Sequence, residues 1–452
     1  MEFFFFTMQY LIVSIPFVLA IVLPIVGVWL LISAVMRPTV GAWVAGSAML
    51  LSTLFVAAPA VPLGINVSTD DLAFVLLFCA AVIRLPVLAV AARNSTLFWL
   101  WVAFGGVVLL SLAIGLLTFG SSAGVEVRDN FYFWAAGLYF ASFTYSEDQL
   151  HRLWRVVQYF AWMMVLIVVY RWVGVKLGFV SESLVLKAGA SSEFRVVGSS
   201  VTFFLAAVGV VHFAMWLKRS TSRDLLAALC LLGFVLVLQH RSVWVSVLGA
   251  LVVVMWHLRT EVSRKVFPLI VIGLTTLSMV AIMVVLNPDS RLAETILKSA
   301  VSVTQAQGTH VDRLLGWEAL LNDFVATASP HQWLVGKPYG SGFARWVMGH
   351  LKEYAPHNFY VVLLLRVGIV GILLLMTVHL WLRRRVALKT AEESDGVVRA
   401  ALLGLLAAFL LYYIPYQGVP FQGALYGVLI AVFGARIAEG GAAERSTLEV
   451  AR

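Results

Sequence analysis

Residues 356–385 read PHNFYVVLLLRVGIVGILLLMTVHLWLRRR. A polar start, an apolar run of about 20 residues and a basic end are the pattern of a helix that crosses a bilayer. His357 stands where the polar stretch ends and the apolar run begins, and Arg383, Arg384 and Arg385 follow the run. The stretch therefore predicts a membrane helix with a histidine at one water-facing end.

The composition extends this prediction to the whole chain. Hydrophobic residues make up 61% and charged residues 12%, with a mean hydropathy of +0.94, against about 45–50% and 25% in soluble domains. The first 36 residues lack a basic start and a cleavage site, so we expect them to be retained as a span. Cys79 and Cys230 lie in apolar segments without metal-ligand spacing, so neither a disulfide nor a zinc site is predicted.

A length of about 20 apolar residues per span predicts an all-α polytopic membrane protein with about 12 (11–14) transmembrane helices. The predicted spans are 9–35, 40–58, 71–90, 97–118, 131–146, 156–173, 198–217, 224–240, 242–258, 266–286, 357–380, 399–415 and 421–435.

Lysine and arginine gather in alternate connections, including 218–223, 259–265 and 383–389. Basic short loops face the cytoplasm, so the opposite face, with segment 287–356, is predicted to be periplasmic in the inner membrane of a bacterium. The expected organisation is a bundle over 1–286, a cap over 287–356, further membrane helices over 357–435 and a cytoplasmic tail over 436–452. Because topology accounts for much of the +9 net charge, nucleic acid is not an expected partner.

The cap is long enough to suggest a functional role. Amphipathic pieces at 291–303 and 311–325 predict short helices over the bundle, which makes the cap a large helical loop. The run Gly336-Lys337-Pro338-Tyr339-Gly340-Ser341-Gly342 has no preceding strand, so it is not a nucleotide-binding loop. We expect its flexible backbone to line a glycan path.

Arginines on the predicted outer face are the main candidates for anion binding. Arg241 lies in the turn between two apolar runs, where a guanidinium either reaches the membrane surface or binds phosphate with two hydrogen bonds. Arg313 follows Asp312, which could simply pair with it, and Arg195 could pair with Glu193. Arg128 and Lys187 are weaker candidates, because charges beside membrane helices are common.

His357 is the candidate general base, because an imidazole at a partly desolvated helix mouth can accept a proton near neutral pH. The alternative is a residue that only starts the helix, with Asn358 capping the first turn. His310, His331 and His350 are interpreted as loop residues. Asp70 and Asp71 could hold a divalent ion, but Ser68-Thr69-Asp70-Asp71 before an apolar run favours a helix N-terminus. No cofactor and no metal are therefore expected.

His357-Asn358, nine further residues and then Gly368-Ile369-Val370-Gly371 resemble the histidine motif of the O-antigen ligase and polymerase superfamily of bacterial envelope enzymes. His240-Arg241-Ser242 at an outer hairpin and Arg313 in the large outer loop are similar to the positions of functional arginines in that family, and the layout of spans extends the likeness over most of the chain. Arg366 departs from the family pattern, which has an acidic residue before the glycine.

The resemblance implies a metal-independent glycosyltransferase that moves a glycan from undecaprenyl pyrophosphate to lipid A-core oligosaccharide at the periplasmic face. His357 would be the base that activates the acceptor hydroxyl. Arg241 and Arg313 would bind the donor pyrophosphate, assisted by Arg195, with His240, Asn358 and Arg128 in supporting positions. Besides these two substrates, membrane lipids are the expected partners.

Two alternatives remain open. A polymerase of the same superfamily would use the same donor and join it to another lipid-linked repeat; the single large cap and the lack of a long C-terminal region favour a ligase. A lipid-linked glycan transporter would also have a dozen spans, but it would more often carry charges along the membrane midplane.

Overall fold

The computed structural model describes residues 25–55, 61–62, 66–91, 95–180, 195–266, 309–389 and 396–434, and most of them are helical. The helices of these ranges, in chain order, are α1 (Ile25–Met36), α2 (Pro38–Leu54), α3 (Thr69–Ala91), α4 (Thr96–Phe119), α5 (Ser121–Glu126), α6 (Arg128–Ala141), α7 (Glu147–Lys176), α8 (Ser199–Arg219), α9 (Ser222–Val237), α10 (Arg241–His257), α11 (Arg259–Val266), α12 (Thr309–Thr327), α13 (Pro330–Val335), α14 (Phe359–Lys389), α15 (Gly396–Tyr412) and α16 (Pro420–Gly434). The strands are β1 (Val61–Pro62), β2 (Asn66–Val67), β3 (Arg345–Val347) and β4 (His350–Lys352).

Helix length decides which described elements can cross a bilayer alone. Four helices, α4, α7, α8 and α14, are long and apolar enough, and α10 with α11 gives a fifth candidate that is bent by 107°. Four shorter apolar helices, α1, α2, α15 and α16, have 12 to 17 residues, below the span length of about 20. The described helices therefore support an all-α membrane protein, with four or five candidate spans against about twelve predicted. The predicted span 266–286 lies almost wholly outside the described residues.

The first compact unit comprises residues 1–98, 132–160 and 420–452. Gly41 of α2 lies under the ring of Tyr139, whose hydroxyl donates to the Ala34 carbonyl at 2.8 Å. The guanidinium of Arg84 donates to the carbonyl of Ser142 at 2.9 Å, as well as to a carbonyl of α1. These bonds satisfy backbone groups that the helix ends would otherwise leave unpaired.

Ser68 caps the start of α3. Its backbone N–H donates to the Asp71 carboxylate at 2.7 Å, while the Asp71 N–H donates to the Ser68 hydroxyl at 3.2 Å. This reciprocal pair is a capping box. The prediction that Asp70-Asp71 marks a helix N-terminus is confirmed.

The second unit comprises residues 99–131 and 161–419. Helices α8, α9, α10 and α15 pack as a bundle within it. Gly404 lets α15 approach α10 closely, since a Cβ there would lie 2.9 Å from the Ala250 carbonyl oxygen. The connection between α9 and α10 is the short turn predicted around Arg241, with Gln239 at a φ of 55°.

The cap of this unit contains α12, α13 and a hairpin formed by β3 and β4. Leu320 and Phe324 of α12 join Phe343, Val361 and Leu365 in one buried cluster, which seats the cap on α14. The cap was predicted as a helical loop with short helices; α12 and α13 are such helices, but residues 345–352 form a strand hairpin instead. Met348 and Gly349 both adopt positive φ, 50° and 79°, as a two-residue hairpin turn requires. The predicted piece 291–303 lies outside the described residues.

A kink in α14 receives the end of α13. Gly368 has a φ of 63°, and its backbone lies so close to the Leu334 carbonyl that a side chain would overlap it. The Lys337 N–H donates to the Leu365 carbonyl at 2.7 Å, which is a carbonyl that the kink frees. Gly368 of the histidine motif is thus where the cap docks.

The glycine-rich run is anchored, which differs from the flexible path predicted for it. Arg366, only 1% exposed, pairs with Glu126 and donates to the Gly342 carbonyl. The other Glu126 carboxylate oxygen accepts the N–H groups of Gly340, at 2.9 Å, and Gly342, at 3.2 Å. The basic residue at 366, where the family pattern has an acid, therefore has its acidic partner on α5.

Candidate functional site

The turn before α10 presents His240 and Arg241 differently. His240 is 8% exposed, and its Nε2 lies 2.9 Å from the Val197 carbonyl oxygen. Burial and the nearby Arg195 charge lower the pKa of His240, although the bond to Val197 opposes this shift. Arg241 is exposed at the first position of α10. His240 therefore fastens the turn to the segment before α8, and Arg241 extends from that turn.

Arg195 lies in the segment that His240 holds. Its Nη2 donates to the Gln239 carbonyl at 3.1 Å, and its buried Nε has no hydrogen-bond partner in the part of the chain that the structure describes. Burial lowers the pKa of Arg195, and the charges of Arg241 and Arg313 lower it further, while Tyr416 opposes them. Arg241 and Arg313 are thus each close enough to act on Arg195, and we call Arg195, Arg241 and Arg313 the arginine cluster.

Arg313 joins the cluster from the cap helix α12. Its guanidinium carbon lies 5.7 Å from the centre of the Tyr416 ring. Asp312, the neighbour that could have neutralised it, pairs with Lys352 of β4 instead. Glu193, the carboxylate that could pair with Arg195 in the alternative prediction, lies outside the described residues.

His357 stands beside the arginine cluster just before α14. The residue is exposed, and partial burial of the imidazole, followed by the charges of Arg313 and Arg345, lowers its pKa. The Tyr354 ring lies 6.1 Å from the imidazole, centre to centre. The imidazole is therefore accessible and held neutral at neutral pH, which is the form that accepts a proton.

The supporting residues have separate roles. The Oδ1 of Asn358, which is buried, accepts the Val361 N–H at 3.0 Å and so caps α14. Arg128 begins α6 beside Asp129, whose charge acts on Tyr412. Tyr412 in turn stacks on Tyr416 at 4.8 Å. Asn358 has the structural role that was the alternative prediction for it, and Asp129, Tyr412 and Tyr416 connect Arg128 to the arginine cluster.

Tyr416 is a member of the site that the sequence did not single out. It lies in the turn after α15, whose carbonyls at Tyr413 and Tyr416 accept the Phe359 N–H at 2.9 and 3.1 Å. Gln417 donates from Nε2 to the Pro356 carbonyl at 3.0 Å. The turn after α15 is thus hydrogen-bonded to the chain both before His357, at Pro356, and after it, at Phe359. The signal in the sequence was Pro415-Tyr416-Gln417-Gly418, a turn composition between two apolar helices.

Arg345 of β3 was also missed. It is 8% exposed, and its Nη1 donates to the carbonyls of Phe343, at 2.9 Å, and Tyr354, at 2.8 Å. Its guanidinium carbon lies 5.1 Å from the Tyr354 ring centre. Gly316 leaves room for it, because a Cβ there would lie 3.0 Å from the Arg345 Nε. No sequence pattern distinguishes this arginine from a solvated strand residue.

The chemistry available at this site is cationic and basic. Within the ranges that the structure describes, no group of three or more histidine, cysteine or acidic residues could hold a metal ion. A separate cavity of about 230 Å³ lies between α4 and α13, lined in part by Val107, Ile114 and His331, and none of the predicted site residues lines it. The arginine cluster with His357 is therefore the candidate site. It can bind a polyanion and remove a proton from a neighbouring hydroxyl.

The fold and this site define a class: an apolar helical protein with candidate membrane spans and a cationic site beside a neutral histidine. No protein-family model matches the chain, and no curated protein is significantly similar to it.

Proposed function

We propose that the protein is an O-antigen ligase, which transfers a glycan from undecaprenyl pyrophosphate to lipid A-core oligosaccharide at the periplasmic face of the inner membrane without a metal ion. The observation that carries the proposal is the convergence of Arg195, Arg241 and Arg313, from three separate segments, beside the neutral imidazole of His357. The resemblance of the histidine motif to the ligase superfamily suggests the donor and the acceptor.

The arginine cluster suits a pyrophosphate. Guanidinium groups bind phosphate oxygens through paired hydrogen bonds, and they remain charged when they are half-buried. The Nε of Arg195 has no hydrogen-bond partner among the described residues, so a donor oxygen would satisfy it. Asp312 pairs with Lys352 and not with Arg313. The Arg313 guanidinium is therefore available for an anion.

The arginine cluster and the His357 imidazole together suggest the course of the reaction. An acceptor hydroxyl oxygen attacks the anomeric carbon of the donor sugar, and the bond from that carbon to the phosphate oxygen breaks. His357 takes the hydroxyl proton, and undecaprenyl pyrophosphate leaves with the bonding electrons. Arg195, Arg241 and Arg313 stabilise the charge on the leaving group, which is the role that a metal ion has in other transferases.

Transfer by purified protein in lipid, with EDTA present, tests the proposal. The substrates are undecaprenyl-pyrophosphate glycan and lipid A-core. His357→Ala, Arg241→Ala and Arg313→Ala are expected to reduce transfer about 100-fold or more each, since a general base contributes roughly 10²–10⁴-fold and an electrostatic donor about 10²–10³-fold. His350→Ala and Arg384→Ala, exposed residues of the same types outside the site, are the matched controls. Normal transfer by the three stable site variants would refute the proposal.

The same assay separates the alternatives. Longer lipid-linked glycan from the donor alone, with lipid A-core unmodified, would identify a polymerase. Movement of donor across vesicles without any new glycosidic bond would identify a transporter. The placement of the cations around one histidine favours a transferase over a transporter.

A further inference from the structure

A groove of about 450 Å³ lies between α10, α14 and α15. Its walls are apolar, and His257, His379 and Arg383 lie at its polar end. Helix α10 runs from Arg241, in the arginine cluster, to His257, and 16 residue steps of about 1.5 Å separate those positions by roughly 24 Å. The groove is therefore distinct from the candidate site and lies near the opposite ends of the same helices.

Positive charge collects at this polar end. Arg383 and Arg399 both lie near enough to His257 to act on it electrostatically, and Arg383 also acts on His379, which is 1% exposed. The Arg399 Nε is buried and has no hydrogen-bond partner within the described ranges. Among the ion pairs of the described ranges, none includes Arg383 or Arg399. This end of the groove is suited to an anion.

The remainder of the groove is suited to a hydrocarbon chain. Val252 and Val253 of α10 face Leu403, Ala407 and Leu410 of α15 along its length, and all of them line the groove. A free phosphate ion would need only the polar end, whereas a phospholipid uses both parts. An exposed tryptophan beside the polar end, Trp256 at 71%, is typical of the interface between lipid headgroups and acyl chains.

We propose that this groove binds one anionic phospholipid, with its phosphate between Arg383 and Arg399 and an acyl chain along Val253, Leu403 and Ala407. Basic pockets between membrane helices bind anionic headgroups in this way, most often on the cytoplasmic side. The sequence predicts that the Arg383–Arg385 run faces that side. The proposal does not depend on the transfer reaction.

Native mass spectrometry of the delipidated full-length protein, titrated with phosphatidylglycerol or with phosphatidylcholine of the same chains, tests it. The wild type is expected to retain one phosphatidylglycerol in preference to phosphatidylcholine. Arg383→Gln with Arg399→Gln is expected to weaken this binding about tenfold or more. The matched control pairs Arg384→Gln with Arg385→Gln, which remove the same net charge from α14 at residues that do not line the groove, and should bind the lipid as the wild type does.

A second variant tests the acyl part without altering charge. Ala407→Trp fills the groove and is expected to reduce phosphatidylglycerol binding while the protein stays folded. Equal binding by the wild type and the Arg383→Gln, Arg399→Gln variant would overturn the proposal, and so would full displacement of the lipid by millimolar inorganic phosphate. Glu392 and Glu393 follow α14 in the sequence, outside the described residues. If lipid binding appears only after both glutamates are changed to glutamine, their carboxylates pair with Arg383 and Arg399 in the wild type. That result would also overturn the proposal.

Discussion

At the scale of single residues, Arg345 connects the cap hairpin to His357. It is fixed by two carbonyls and by the Tyr354 ring, and Tyr354 lies beside the imidazole. A cation held so firmly disfavours a second positive charge nearby. We therefore interpret Arg345 as a positioning residue that helps to keep His357 neutral, alongside Arg313.

Arg345→Gln is expected to shift the pH dependence of transfer. The Arg345 charge lowers the pKa of His357, so its removal raises that pKa. Because the base works only when it is neutral, the acid limb of the pH–activity profile should move to higher pH. The measurement is the pH profile of kcat/KM for the variant and for Arg345→Lys, which retains the charge. An acid limb that shifts equally in both variants would assign Arg345 a structural role only.

Tyr416 is expected to hold Arg313 in place for the donor. Its ring lies under the guanidinium and over Tyr412, and a cation–π contact contributes about 0.5–2 kcal/mol. Tyr416→Leu should therefore raise the donor KM roughly 3- to 30-fold with a smaller effect on kcat. Tyr416→Phe retains the ring and is the control. A Phe variant as impaired as the Leu variant would show that the hydroxyl, and not the ring, is required.

Residue types and turn positions were enough to select His357, Arg241, Arg313 and Arg195 as candidates, and the structure places these residues near one another. A histidine at the start of an apolar run and an arginine in a short hairpin are uncommon enough to attract attention in one sequence. Arg345 and Tyr416 could not be found in this way, because their importance comes from contacts between segments distant in the chain. Lys352 was missed for the same reason. It pairs with Asp312, which the sequence had suggested as the partner of Arg313.

At the scale of elements, the kink in α14 determines where the cap sits. Gly368→Ala is expected to destabilise this docking, because alanine disfavours a φ of 63° and its Cβ would overlap the Leu334 carbonyl. A non-glycine residue in such a conformation costs about 1–3 kcal/mol. The expected result is a lower Tm in detergent and faster proteolysis of the cap. Gly233→Ala, in open space on α9, is the control and should change neither measurement.

The buried ion pair of Glu126 and Arg366 anchors the glycine-rich run to α14. Glu126→Gln should destabilise the protein by about 3–5 kcal/mol, because it leaves the Arg366 charge buried without its counter-ion. Adding Arg366→Met removes that charge and should recover most of the loss in unfolding experiments. If the double variant is no more stable than Glu126→Gln alone, the bonds from Arg366 to the glycine-rich run matter more than charge balance.

Apolar length predicted several of the described helices within a few residues, as for α4 over 97–118 and α8 over 198–217, but α7 and α14 extend well beyond the predicted spans 156–173 and 357–380. It could not predict the hairpin of β3 and β4, whose eight residues 345–352 are too few and too mixed in polarity to distinguish from a helix turn. Nor could it reveal that Arg366 pairs with Glu126, since 240 residues separate them. Pairing across such separations is a property of the fold.

At the scale of the whole molecule, the charge pattern predicts which ends of the helices face the cytoplasm. Lys218 and Arg219 at the end of α8 and Arg223 at the start of α9 flank the α8–α9 connection, whereas His240 and Arg241 lie at the α9–α10 turn, at the end where the candidate site is. A helix that crosses the membrane begins on one side and ends on the other, so two successive connections lie on opposite sides of the membrane. The cap and the Lys218–Arg223 connection should therefore lie on different sides of the membrane.

Cysteine labelling tests this orientation. With Cys79 and Cys230 changed to serine, Ser341→Cys places one thiol on the exposed cap and Ser222→Cys places one at the exposed start of α9. A maleimide that cannot cross the inner membrane is expected to label the cap thiol in cells with a permeabilised outer membrane, and the α9 thiol only after lysis. Labelling of the α9 thiol alone in unlysed cells would invert the orientation. The candidate site would then face the cytoplasm, where a periplasmic ligase cannot work, and the proposed function would fail with it.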